Sequence, residues 1–366
     1  MRFPGFEGEW ARCTLGEIGE PYIGLTYSPA DVVNEGGTIV FRSSNIQNGE
    51  IDYSDIVRVN KKIKDSIITR KDDLLICARN GSPRLIGKNA LLKDADAGQT
   101  FGAFMLVFRS NDNHFVHQLL STKGYYSQVS ENLGARINQI TTSNIKDFEF
   151  YFPKSIAERN KIAVFLNLID ERISIQNKVI EKYESLIKAI TRCLVHCNGH
   201  QCFLGDIAEI YQPKTITGLE MSNGGQYPVF GANGIIGHYK DYNHASPQIC
   251  IACRGNTCGV LNYSLPFSWI TGNSMVINVD SASGVNKRFL FHLLSTVEYS
   301  PLISGSGQPQ IVRGPLRKLR ITLPDKQYQD KNAQIIDCLI EKSNVEKALL
   351  RKLQTQKNFF LTAVFI

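Results

Sequence analysis

The sequence predicts an α+β protein. Two mixed α/β domains are joined by two long helices that form an antiparallel coiled-coil spacer. Three observations carry this reading: a repeat within the chain, a long apolar seam at helical spacing, and the order domain–helix–domain–helix. The predicted boundaries are 1–153 for the first domain, 154–197 for the central helix, 198–324 for the second domain and 325–366 for the second helix.

The repeat is read from four matches. "CTLGEI" at Cys13–Ile18 returns as "CFLGDI" at Cys202–Ile207. "LLICARNG" at Leu74–Gly81 resembles "CIACRGN" at Cys250–Asn256, which sets Arg79 opposite Arg254. "FVHQLLST" at Phe115–Thr122 returns as "FLFHLLST" at Phe289–Thr296. "INQITTSNIKDFEFYFP" at Ile137–Pro153 resembles "PQIVRGPLRKLRITLP" at Pro309–Pro324, which sets Gln139 opposite Gln310. The separations fall from 189 through 175 and 174 to 171 residues, so the second unit has a shorter front part. Two units fit these matches; a many-repeat solenoid does not.

Each unit opens with a stretch rich in Gly, Asn, Ser and aromatics. Short β-like runs stand in it, such as "DLLICA" and "FMLVF" in the first and "QICIAC" and "SMVINV" in the second. A helix follows Pro153. Ser155 and Glu158 give a capping-box pattern. Ile162, Leu166, Ile169, Ile173, Gln176, Ile180, Tyr183, Ile187, Ile190 and Leu194 then alternate spacings of four and three, a coiled-coil seam with one polar position. From Ser155 to Val195 it is roughly 60 Å long at ~1.5 Å per residue. The second helix runs from Asp325, an N-cap after Pro324, to about Phe365. Ile336, Leu339, Leu350, Leu353 and Phe360 form its seam, with Ser343, Glu346 and Lys357 interrupting it. Long one-sided helices need a partner, and each is the obvious partner of the other. Folding of each helix back onto its own domain is the alternative that pattern alone leaves open.

Composition bounds the function loosely. The chain of 366 residues is 43% apolar and 20% charged, with a net charge of +7. That balance is compatible with a polyanionic partner and equally with a protein that is merely basic. No apolar run approaches the ~18–20 residues that span a bilayer, and the first residues lack a signal-peptide core. Both point to the cytoplasm and away from a membrane. There the nine cysteines (13, 77, 193, 197, 202, 250, 253, 258 and 338) are most simply free thiols.

Enzyme signatures with a fixed motif are missing, while nuclease carboxylate patterns are too degenerate to exclude from one sequence, although none stands out. "GSPRLIGKN" at Gly81–Asn89 has five residues between its glycines and Asn after Lys88, so it is no P-loop. "GANGIIG" at Gly231–Gly237 has the wrong spacing for a dinucleotide turn and reads as a loop. No amino-methyltransferase tetrapeptide, Gly-x-Ser-x-Gly elbow or His-Glu-x-x-His occurs. Cys193, His196, Cys197, His200 and Cys202 are the best metal candidates, but a helix end running into a linker explains them better than a zinc knuckle. Cys250 and Cys253 read as small apolar residues of a buried strand, and no metal is expected.

The chain resembles the DNA-specificity (S) subunit of type I restriction-modification systems. "RFPGFEGEWARCTLGEI", "IVFRSSNIQNGEID", "SGSGQPQIVRGPLRKLRITLP" and "QKNFFLTAVF" carry the likeness, together with the domain–helix–domain–helix order. The resemblance implies two target-recognition domains, each reading half of a bipartite site in double-stranded DNA across an antiparallel spacer. It implies a non-catalytic subunit with no cofactor of its own. Two modification subunits would dock on it, bringing S-adenosylmethionine to methylate adenine, and motor-nuclease restriction subunits can join to cleave DNA. A coiled-coil scaffold without DNA binding, a specificity subunit of a related methyltransferase-nuclease system and a standalone enzyme are the alternatives.

Under that reading, base contacts come from Arg to guanine, Asn or Gln to adenine, and Ser or Thr to either. Candidates in the first domain are Arg42, Ser43, Asn45, Arg79, Asn80, Arg84 and Gln139. In the second they are Lys214, Asn233, Tyr239, Arg254, Asn256, Thr257, Gln308 and Gln310. Arg79/Arg254 and Gln139/Gln310 stand out because they recur, although recurrence also fits a shared scaffold role.

Overall fold

The four residues Leu74–Cys77 form a strand buried on both faces. Alternation sends Leu74 and Ile76 into one apolar cluster and Leu75 and Cys77 into another. Such a strand demands a layer on each side, and the first unit supplies both. The computed structural model describes all residues except 1, 2, 4, 134–137, 197, 217, 219, 220, 222–224, 306 and 366. The chain divides into two compact units, Met1–Lys178 with Ala348–Ile366, and Val179–Lys347.

In the first unit the buried strand lies in a four-stranded antiparallel sheet. Its order is Glu20–Ile23, Met105–Arg109, Leu74–Cys77, Asn89–Leu91. One face packs on helix Asn113–Leu119 through Phe115, Val116 and Leu119. The other face packs on a second sheet, ordered Thr100–Phe101, Thr38–Phe41, Val57–Val59, Val32–Val33. A ribbon of Ala11–Thr14 with Glu149–Phe152 closes the unit.

The second unit repeats the plan. Its sheet runs Glu209–Tyr211, Ser274–Asn278, Ile249–Ala252, Leu261–Tyr263. Ile249 and Ile251 face helix Lys287–Leu294, while Cys250 and Val276 face Phe230 and Ile270 of a smaller sheet. That smaller sheet joins Gly234–Tyr239, Tyr227–Gly231 and Trp269–Ile270. His200–Phe203 pairs with Arg320–Leu323 as the closing ribbon. The repeated "C-x-L-G-[ED]-I" has a local cause. Its acid accepts the backbone N–H three residues back, Glu17 from Thr14 at 2.6 Å and Asp206 from Phe203 at 3.0 Å.

The front part of the second unit is short because one connection is trimmed. In the first unit Val40 pairs with Val57, and residues 42–56 between the strands hold a 3-10 turn and a small ribbon. In the second unit the equivalent Val229 pairs with Gly237, and only Ala232 and Asn233 make the turn.

The long helices span Ile156–Val195 and Lys326–Val364. Ser155 Oγ accepts the Glu158 N–H at 3.4 Å, which is the serine half of the expected capping box, and Asp325 Oδ1 accepts the Tyr328 N–H at 2.8 Å as its N-cap. Within the first unit Phe165 stacks edge-on to Phe360 at 4.9 Å and Lys357 pairs with Asp170. Within the second, Lys347 pairs with Glu184 at 2.7 Å and the Tyr328 hydroxyl donates to the Leu194 carbonyl at 3.4 Å. The start of each helix thus meets the end of the other, so they run antiparallel. Folding of each helix onto its own domain is half right: each unit holds half of both.

The central seam lies inward. Ile162, Leu166, Gln176 and Ile180 are buried, and Ile169, Ile173, Tyr183, Ile187, Ile190 and Leu194 half-buried. On the second helix Ile336 and Leu353 are buried, and Leu339, Leu350 and Phe360 half-buried. Two residues outside the expected seam also pack inward: Ile340 on the second unit's core and Leu361 in the first unit's core. Both lie one residue, about 100°, from the position that spacing favoured. Among the described residues no helix is long and apolar enough to cross a membrane.

Asp337 sits on the second helix beside the helix Lys287–Leu294. Burial pushes its carboxyl up, but the hydrogen bond from His292 (2.7 Å) and the Arg288 guanidinium outweigh that and hold it at about 2.

Two outcomes follow for stability. Leu166→Ala should cost about 2–5 kcal/mol in urea unfolding of the first unit, because it empties a buried site. Leu168→Ala, two residues on but 59% exposed, should stay within about 0.5 kcal/mol. Asp337→Asn should destabilise the second unit by about 1–3 kcal/mol at pH 7, since it strips Arg288 of its partner. The depressed carboxyl contributes fully above its unfolded value near 4 and is lost as pH falls through about 2. Urea midpoints of the two proteins should therefore converge between pH 4 and 2.

Candidate nucleic-acid interface

Each buried strand runs on into a short polar segment, and that segment is tied down in the same way in both units. In the first, the Ala78 N–H donates to the Phe104 carbonyl at 3.0 Å, the Asn80 N–H to Asn138 at 3.3 Å, and the Ile140 N–H to Ala78 at 2.9 Å. In the second, the Cys253 N–H donates to Asn273 at 3.1 Å, the Gly255 N–H to Pro309 at 3.0 Å, and the Ile311 N–H to Cys253 at 3.1 Å. These bonds bridge Arg79 to Gln139 and Arg254 to Gln310, both antiparallel. The two recurrent pairs read in the sequence are one structural device made twice. Both arginines are exposed. The Arg79 guanidinium lies over the Phe104 ring, 4.9 Å from its centroid. Phe104 is itself 57% exposed, a surface aromatic beside a cation that nothing in its run "FMLVF" distinguishes from core.

The other first-unit candidates divide. Asn45 is fully buried. Its Oδ1 accepts the Arg42 N–H at 2.9 Å and its Nδ2 donates to the Asp52 and Asp55 carbonyls at 3.0 and 2.9 Å. That corrects the expectation of a base contact: Asn45 holds the loop together. Asn80 donates to Ser43 Oγ and accepts the Ser82 N–H, both at 2.9 Å, so Ser43 and Asn80 shape the turn below Arg79. Arg42 is half-buried and paired with Asp55 at 2.8 Å, which offsets its charge. Arg84 is exposed on the 3-10 turn Pro83–Leu85. Gln139 is half-buried.

In the second unit Asn233 is exposed at the tip of the hairpin Tyr227–Tyr239. The segment "GANGIIG" is therefore a strand–turn–strand and not a loop. Tyr239 at the hairpin's base packs edge-on to Trp269 at 5.1 Å. The Trp269 indole N–H donates to the Lys214 carbonyl at 3.2 Å, which keeps the exposed Lys214 beside the hairpin. Asn256, Gln308 and Gln310 are exposed around Arg254, and Thr257 is half-buried. Sequence reasoning missed Phe104, Trp269, Ile235 and Ile236.

Among the described residues the cysteines do not form a site. Cys250 and Cys253 stand three apart on an extended chain, so they point to opposite faces. Cys250 packs with Phe230, Ile270 and Val276. Cys253 packs on the helical side, where Gln212 Nε2 donates to its sulfur at 3.1 Å. Burial pushes the Cys250 thiol up to about 12, far from a reactive thiolate. Of the other metal candidates, Cys197 lies outside the described residues. His200 and Cys202 belong to the closing ribbon, and the His196 ring meets the Thr296 hydroxyl at 3.3 Å. Among the described residues no three of His, Cys, Asp and Glu are grouped to hold a metal ion.

Each unit by itself places an exposed arginine beside a side-chain amide at a strand end, and the second adds a hairpin. The family model for the type I restriction modification DNA specificity domain matches the chain twice, over residues 7–185 and 201–355. The chain is 31% identical over 111 residues to the type I restriction enzyme EcoprrI specificity subunit of Escherichia coli. That stretch is 30% of this chain and 27% of that protein. It is 25% identical over 195 residues to the type I restriction enzyme StySPI specificity subunit of Salmonella potsdam, 51% of this chain and 42% of that one. The matches thus span well under two-thirds of either relative. In fold, the chain superposes on the S subunit of a type I restriction-modification system from M. genitalium with a TM-score of 0.71. That comparison covers 100% of this chain and 99% of the other at 19% identity. With the family model covering both units, the chain belongs to the type I restriction-modification specificity subunits and carries two copies of their DNA specificity domain.

Proposed function

We propose that this chain is the non-catalytic reader of a bipartite site in double-stranded DNA, one half-site per unit. The observation that carries the proposal is the duplicated bridge, Arg79 with Gln139 and Arg254 with Gln310. Two equivalent positions present an exposed guanidinium beside a side-chain amide. Those are the groups that read guanine and adenine edges in the major groove. The surrounding polar loops differ between units, as they must if the half-sites differ. The net charge of +7 favours phosphate contacts, which fix position and carry no sequence information.

The long helices serve two roles in this reading. Their length sets the gap between half-sites, and their outer faces dock two modification subunits. S-adenosylmethionine belongs to those partners, and motor-nuclease subunits are further partners of the assembled complex.

Arg79→Ala and Arg254→Ala should each weaken binding about 5- to 100-fold and relax specificity in one half-site only, the two variants affecting opposite halves. Binding measured on duplexes with each half-site scrambled in turn checks this; loss spread evenly over both halves counts against base reading. Removing one heptad from the central helix, with the facing seven residues of the second, should shorten the methylated site's spacer in the complex with a modification subunit. Mapping methylated adenines by single-molecule sequencing reads the spacing directly, and an unchanged spacer sinks the ruler role.

A further inference from the structure

We propose that the hairpin Tyr227–Tyr239 enters the major groove and reads thymine through the methyl group on C5. This inference rests on the reading of the chain as a DNA-recognition subunit and assigns a specific chemistry to its second unit.

The hairpin is built to project. Its strands Tyr227–Gly231 and Gly234–Tyr239 turn through two residues, and Gly234 takes φ +97°, a conformation that strains any L side chain. The register shifts beside Val229 and Phe230, because Phe230 pairs with Ile235 while Val229 pairs with Gly237. Ile236 is thus the extra residue of a β-bulge. A bulge breaks the alternation of a strand and re-aims its side chains. Here consecutive isoleucines both face solvent, Ile235 52% and Ile236 49% exposed. Ile236 lies over Gly231, where an added Cβ would stand 3.0 Å from its Cγ2. Gly231 therefore makes room for that side chain.

A single exposed isoleucine is ordinary. Two in succession near a ribbon tip need an occupant, and charge says which kind. From Tyr227 to Lys240 there is no acidic residue. His238, Lys240 and Lys214 are exposed around the hairpin. The exposed Asp241 follows at the base, its Oδ1 accepting the Tyr242 N–H at 2.8 Å. An apolar tip with cations at the base behind it suits a polyanion that carries apolar groups in a groove. The DNA major groove is about 12 Å wide and admits a two-stranded ribbon. The one apolar group that base edges present there is the thymine methyl. Isoleucine has no donor or acceptor, so it can read nothing else in that groove. Asn233 at the turn adds an amide suited to adenine N6 and N7. The half-site of the second unit therefore contains A·T pairs.

The test uses the full-length chain. Duplexes that it retains are enriched from a random pool to define the site, and each thymine is then replaced by 2′-deoxyuridine, which removes only the methyl. In one half-site, one or two replacements should weaken binding about 3- to 10-fold. Ile235→Ser and Ile236→Ser alter exposed side chains, and with them the penalty for deoxyuridine should disappear. Thymine and deoxyuridine binding alike at every position overturns the proposal while leaving DNA recognition standing. So does a penalty that survives both substitutions. A dimer of the chain that dissociates on either substitution, with no deoxyuridine effect, overturns it in favour of a second copy on the hairpin. If no duplex is enriched at all, the DNA-reading function itself fails.

Discussion

A strand buried on both faces fixes the geometry of each unit. Leu74–Cys77 and Ile249–Ala252 leave no free surface, so one side must meet a helix and the other a second sheet. The position of the next residues is then no longer adjustable. Arg79 and Arg254 leave their strands at a point held by three backbone hydrogen bonds. Their exposure follows from core packing behind them rather than from anything local. A guanidinium delivered by a fixed backbone loses less freedom on binding than one on a mobile loop.

The architecture was legible in the sequence where packing imposes a period. The repeat was visible because both units need the same buried strand, the same acid-capped turn and the same ribbon. The central seam was visible because helical spacing is strict. What could not be seen is where polar side chains turn inward. Asn45 has the composition of a base reader, yet it bonds three backbone groups of its own loop. "GANGIIG" has the composition of a loop, yet it is a hairpin whose length only the paired strands decide. Exposure of Phe104, Ile235 and Ile236 has no signature either, because apolar residues on a surface look like core until the fold is known.

One polar interruption of the second helix also gains a reason. Lys357 breaks the apolar seam, but it meets Asp170 on the central helix. Gln118 Nε2 joins that carboxylate at 2.8 Å and Asn167 at 2.7 Å. A half-buried charge with this many partners costs little stability and tolerates few alternatives. An apolar seam alone would accept a slip by one heptad; a lysine that must find one aspartate does not.

The first unit takes its residues from the two ends of the chain, Met1–Lys178 and Ala348–Ile366. Trp10 and Phe115 both pack against the ring of Phe365, and Leu361 completes the same core. Synthesis delivers Leu361 and Phe365 only after every residue of the second unit. While the ribosome adds the intervening residues, the earlier-made part of the first unit lacks this share of its core. The usual order of domain maturation, amino-terminal unit first, therefore cannot run to completion before the second unit has been made.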